Sequence, residues 1–120
     1  CTGIYISNHG GRQLESVPST LDLLKMIRRK IGKKYPILFD SGIRTGEDII
    51  KAYSLGADFV FLGRPFLFAS ALGNKKYIKH LIKLLGKQID SALAQVGQTS
   101  IENLNKSVLF EKDVNFYKDI

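Results

Sequence analysis

The chain reads as an α/β fold built on a parallel sheet, and three observations predict it. Short runs that are apolar throughout recur at residues 3–6, 36–39 and 59–62; each is followed by a glycine-containing loop; and each loop leads into a segment whose apolar residues recur at helical spacing. Strands without polar alternation, separated by helices, are those of a parallel sheet covered by helices. Two architectures share this pattern, a doubly wound sheet and a barrel of eight β/α units. Three strands cannot close such a barrel, so in the second case the chain supplies only part of it.

The first strand, T-G-I-Y-I, runs directly into S-N-H-G-G-R-Q-L at residues 7–14, where two glycines separate His9 from Arg12. From Ser19 the pattern becomes helical: Leu21, Leu24, Ile27 and Ile31 recur at spacings of three or four, Leu23 and Met26 widen the stripe, and Gly32 is a stop signal. A second unit begins with Pro36 to Phe39 and the loop D-S-G-I-R. Thr45, with Asp48 three residues on, resembles a capping box and predicts a helix to about Leu55, before Gly56. The third unit starts with F-V-F-L at 59–62 and passes through Gly63, Arg64 and Pro65 into a short helix over 66–72. A long helix over 75–96 follows, with Ile78, Leu81, Ile82, Leu85, Ile89, Leu93 and Val96 on one face and lysines over much of the other. Gly97 ends it, Ser100 caps a short helix through Leu104, and residues 110–120 read as a polar tail. No linker divides residues 1–109.

With 44% hydrophobic and 24% charged residues in 120, the composition is that of a globular segment able to bury a core. Cys1 is the only cysteine, which excludes an internal disulfide and a multi-thiolate metal site; no metal is expected, and a reducing compartment is. There is neither an apolar run of about 18 residues nor a secretory signal, so a soluble, cytoplasmic protein is expected, with membrane association left open. The only methionine is Met26 and the chain opens already inside a strand, from which a preceding N-terminal part is expected. The net charge of +7 comes largely from Arg28, Arg29, Lys30, Lys33 and Lys34 and from Lys75, Lys76, Lys79, Lys83 and Lys87. Few aromatic residues are interleaved for base stacking, so these clusters read as solvated helix faces and no nucleic-acid partner is expected. His80 lies among them as a surface residue.

All three glycine loops follow the carboxyl ends of strands, where α/β folds bind ligands. The second and third suit a phosphate: glycine frees backbone N–H groups, a helix N-terminus follows, and Arg44 and Arg64 offer forked donors. The first pairs His9, able to take a proton near neutral pH, with Arg12, able to hold a carboxylate by two parallel hydrogen bonds. That combination points to chemistry on an acid. The plainer alternatives are arginines in surface ion pairs and a histidine that only closes a turn.

S-N-H-G-G-R-Q-L, D-S-G-I-R-T-G-E-D-I-I-K-A-Y-S-L-G-A-D and L-G-R-P-F-L-F-A-S-A together resemble the C-terminal part of the FMN-dependent α-hydroxy acid oxidases and dehydrogenases, over about residues 1–109. Q-V-G-Q-T-S-I-E-N-L is similar to that family's closing segment. The resemblance implies a TIM (β/α)8 barrel of which this chain holds strands six to eight and the C-terminal helices. It implies His9 as catalytic base, Arg12 as the clamp on the substrate carboxylate and Ser7 as a flavin contact. Asp40, Ser41, Gly42, Ile43 and Arg44, with Gly63 and Arg64, would hold the ribityl chain and phosphate of FMN. The family usually has D-G-G where this chain has Asp40-Ser41-Gly42, and aspartate where it has Glu15. The implied reaction is oxidation of an L-2-hydroxy acid of lactate or glycolate type to the 2-oxo acid, with oxygen, a quinone or a cytochrome as electron acceptor, in a homo-oligomer. Other residues of the implied site, a lysine, an aspartate and tyrosines, would precede Cys1, so this chain alone is not expected to be a working enzyme. The competing readings are another FMN or phosphate-binding barrel, such as a type 2 isopentenyl diphosphate isomerase, which has little reason to carry His9 with Arg12, and a basic nucleic-acid-binding module.

Overall fold

In the computed structural model, which describes residues 1–110, three strands lie side by side in chain order: β1 (Ile4–Ile6), β2 (Ile37–Phe39) and β3 (Phe59–Val60). Both pairs are parallel, with Tyr5 opposite Leu38 opposite Phe59, and Ile6 opposite Phe39 opposite Val60. Because successive side chains point to opposite faces, this register sorts the residues. Ile4, Ile6, Ile37, Phe39 and Val60 join the core beneath the helices, whereas Tyr5, Phe59 and Phe61 are exposed on the other face. A doubly wound sheet carries helices on both faces. Among the described residues the helices lie on one face of sequential parallel strands, an arrangement that the wall of a barrel shares.

Helix α1 (Thr20–Ile31) begins where the Ser19 hydroxyl accepts the Leu21 N–H and ends at Gly32, whose φ is 61°. Its Leu24 is fully buried with Ile37 and Phe39. Helix α2 (Gly46–Ser54) has the predicted capping box: Thr45 Oγ1 accepts the Asp48 N–H, and Asp48 Oδ2 accepts the Thr45 N–H at 3.0 Å. Its first residue packs against helix α4 (Lys75–Gln95) so closely that a Cβ on Gly46 would lie 2.5 Å from Gln88 Cβ and 2.6 Å from the Ile89 nitrogen. The Gly46 N–H donates to Gln88 Oε1 at 2.9 Å, and Ile50 packs with Ala92 and Leu93 to complete the joint.

Several boundaries differ from those the sequence predicts. The ladder of β3 stops at Val60, with one further bond from the Phe61 N–H to the Phe39 carbonyl at 2.8 Å before Gly63 turns the chain. Helix α3 (Arg64–Ala71) starts two residues earlier than 66, because Pro65 fits the first helical turn, where an amide hydrogen is not needed. Ile82 is exposed: α4 seats its Leu81, Leu85 and Ile89 on the core, and Ile82 falls outside that stripe. The helix after Ser100 is a single 3-10 turn, Ile101–Asn103, followed by a second at Lys106–Val108. Of the predicted tail, residues 111–120 lie outside the described residues. No helix among the described residues is long and apolar enough to cross a membrane.

At the amino ends of the strands a single side chain gathers four segments. Arg28 of α1 donates to the carbonyls of Gly56 (2.8 Å), Gly32 (2.6 Å) and Tyr35 (3.1 Å) and pairs with Asp58, whose carboxylate also accepts the Ile37 N–H at 2.7 Å.

Candidate active site

The loop after β1 turns through three consecutive residues of positive φ: His9 at 55°, Gly10 at 68° and Gly11 at 71°. Glycine adopts this region freely, but histidine does so at a cost that the surroundings must outweigh. Four hydrogen bonds hold the turn. The His9 N–H donates to Ser7 Oγ at 3.1 Å, the Gly11 N–H to the Asn8 carbonyl at 3.0 Å, and the N–H groups of Asn8 and Gly10 to Ser41 Oγ at 3.2 and 3.1 Å.

The loop after β2 supplies that serine, itself at φ 78°, and Asp40, whose carboxylate accepts the Ser41 hydroxyl at 2.6 Å and the Tyr5 hydroxyl at 2.5 Å. Burial alone would raise the Asp40 pKa, but hydrogen bonds from Ser41, Ser7 and Tyr5 and the proximity of His9 outweigh it and hold the carboxyl below its ordinary value. The same bond to Asp40, then burial and the carboxylate charge, push the Tyr5 hydroxyl up to about 12. From the third loop, Arg64 reaches back to donate to the Gly10 carbonyl at 3.2 Å, and a Cβ on Gly10 would stand 3.1 Å from that guanidinium nitrogen. Gly10 is therefore favoured by its φ, and a side chain there would also press the end of Arg64 back by a few tenths of an ångström.

One cleft of about 290 Å³ joins the loops. His9, Gly10 and Arg12 line it from the first, Asp40, Ser41, Gly42, Ile43 and Arg44 from the second, and Phe61, Gly63, Arg64 and Leu67 from the third. Of the residues singled out in the sequence, only Ser7 does not line it; it stands behind, against the His9 amide and Asp40. The guanidinium groups of Arg12 and Arg44 have no partner among the described residues. Neither do the amides of Gly42, Ile43 and Gly63, and above Gly42 and Gly63 the space a Cβ would take is open. Asn8 Oδ1 is buried without a hydrogen-bond partner. Sequence reasoning missed Tyr5, whose one signal was a hydroxyl within an otherwise apolar strand, and the apolar wall formed by Phe61 and Leu67.

Comparison with known proteins gives the same direction. The profile of the family described as FMN-dependent dehydrogenase matches residues 1–111. A 2-hydroxyacid oxidase of Dictyostelium discoideum is 37% identical over 111 residues, covering 92% of this chain and 29% of that protein. An L-lactate oxidase of a Nostoc species is 42% identical over 106 residues, covering 88% and 29%. Among solved structures, an active mutant of (S)-mandelate dehydrogenase superposes with a TM-score of 0.87 at 40% identity, over 92% of this chain and 31% of that one, and a mandelate oxidase with 0.79 at 36%, over 84% and 29%. The chain thus spans less than a third of the length of each of these relatives. With a profile matched along nearly its whole length, and with relatives of such identity, the chain belongs to the FMN-dependent dehydrogenase family.

Proposed function

We propose that residues 1–109 form strands six to eight, with their helices, of an FMN-dependent (β/α)8 barrel that oxidises an L-2-hydroxy acid of lactate or glycolate type to the 2-oxo acid. The observation that carries this reading is the single cleft in which His9 and Arg12 face a second loop and a third that are furnished for an anion. The relatives named 2-hydroxyacid oxidase and L-lactate oxidase support the same substrate class.

The residues present fit FMN. Arg44 and Arg64 offer guanidinium donors, and the unengaged amides of Gly42, Ile43 and Gly63 beside open space form a cradle for phosphate oxygens. When bound there, FMN supplies the two-electron redox chemistry. Arg12, unpartnered among the described residues, forks onto the substrate carboxylate and fixes which substituent of the hydroxylated carbon faces the cofactor, a contribution made through orientation. His9 takes a proton from the substrate, either from its hydroxyl or from the α-carbon. The electrostatic partner for the resulting imidazolium is at hand in Asp40, kept ionised by its hydrogen bonds.

The complete protein that carries this chain should purify yellow, release FMN on denaturation, and be bleached anaerobically by lactate or glycolate. His9→Gln should retain the flavin but slow its reduction by ~10² to 10⁴, the usual cost of a lost general base. Protein that cannot be loaded with FMN, or a His9→Gln variant reduced at the normal rate, contradicts the assignment.

A further inference from the structure

We propose that Ser41 and Tyr5 are positioning residues, whose hydroxyls lock Asp40 and, through it, set the backbone of the histidine loop. This rests on the reading of His9 as the base. A hydroxyl has one proton to donate and two lone pairs to accept with. Ser41 uses all three: it donates to Asp40 Oδ1 at 2.6 Å and accepts the N–H groups of Asn8 at 3.2 Å and Gly10 at 3.1 Å. Those two amides flank His9 on either side. Because the serine proton is committed to Asp40, the lone pairs are turned toward the loop, so the direction of one bond fixes the other two. Asp40 cannot swing away, since Tyr5 holds its other oxygen at 2.5 Å.

Two further features single out this arrangement. Ser41 adopts a φ of 78°, a conformation that glycine accepts without strain and a side chain does not. A serine kept there must be held by its bonds, and strain of this kind gathers where geometry matters to function. Tyr5 carries the only hydroxyl in β1 and is spent on the same carboxylate. The two residues lie 36 positions apart in sequence and converge on one loop whose own histidine sits at φ 55°.

The test uses the complete FMN-loaded protein with Ser41→Gly, Ser41→Ala and Tyr5→Phe. Both serine variants lose the hydroxyl, but only alanine keeps a side chain at positive φ, so the glycine variant should melt at the higher temperature of the two. Flavin reduction by the hydroxy acid should nevertheless slow by about tenfold in both, and by about threefold in Tyr5→Phe, through misplacement of His9. The affinity of Tyr5→Phe for FMN, read by fluorescence titration of the apoprotein, should stay within about threefold of the parent, because Tyr5 does not line the cleft and the phosphate cradle is untouched. Amide exchange at Asn8 and Gly10 should accelerate in the serine variants, a readout that needs no turnover. A reduction rate that is unchanged, or that follows melting temperature and not loss of the hydroxyl, overturns the positioning role; unchanged exchange at both amides overturns the network itself. A parent protein that binds no FMN sinks the functional reading and the role given to the network with it, while the exchange data still report separately on whether the bonds exist.

Discussion

Arg12 and Arg64 show how two residues of one type are told apart by surroundings. Arg64 follows Gly63 at the start of α3 and braces the Gly10 carbonyl, so its removal would loosen the histidine loop and strip charge from the proposed phosphate cradle together. Arg12 makes no hydrogen bond or ion pair among the described residues, and the proposed function assigns it the substrate carboxylate. Arg64→Ala should therefore lower flavin content after dialysis more than Arg12→Ala does, whereas Arg12→Ala should act on the Kd for the hydroxy acid. Equal flavin content in the parent and the Arg64 variant would remove the phosphate role. His9, Arg12, Arg44 and Arg64 were legible in the sequence because each stands within a few positions of a glycine at the end of an apolar run. The Tyr5–Asp40 and Ser41–Asn8 contacts were not, because bonds between residues 35 and 33 positions apart leave no local pattern.

Helix α2 was the most legible element, since Thr45 and Asp48 carry its start in four residues. What the sequence could not supply was the reason for Gly46, which lies in the backbone of α4 forty-two positions on. The early start of α3 and the exposure of Ile82 were hidden for the same reason: propensity and periodicity describe a helix by itself, and packing chooses its limits and its face. The cap of α2 also predicts an acid response. Burial by itself raises the Asp48 pKa, but bonds from the Arg44 amide and from the hydroxyl and amide of Thr45, with the charge of Lys51, bring it below the ordinary 3.8. A carboxyl whose native pKa is lowered gives its full stabilisation above the unfolded value, and that contribution fades as the pH falls through the native one. Thermal melts of the complete protein between pH 2 and 6 should show Asp48→Asn less stable than the parent at the upper end, with the two converging at the lower; parallel curves would show that the charge on Asp48 does not matter to the cap.

For the whole molecule, the apolar runs were enough to predict a parallel sheet, but not the order of its strands; the choice of a barrel over a doubly wound sheet came from the family resemblance and not from periodicity. That choice turns on which side chains face away from the helices, and uniformly apolar strands conceal it. In the structure Tyr5 stacks edge-on to Phe61 at 5.5 Å and Phe61 meets Phe59 at 4.9 Å, an aromatic cluster on the uncovered face. β1 and β3 each pair only with β2, so two strand edges are open among the described residues. The 120-residue chain produced by itself should therefore bind a hydrophobic dye and self-associate at micromolar concentration, as exposed apolar faces and open edges do. Monodisperse light scattering without dye binding would mean that the face is closed in some other way.

The Arg28 cluster has a consequence for how such a protein can change over generations. It ties α1, the start of β2 and the approach to β3 at the end of the sheet away from His9, Arg44 and Arg64, using one guanidinium and one carboxylate. Substitutions that change the lining of the cleft leave this fastening intact, so the lining can vary without first surrendering the scaffold.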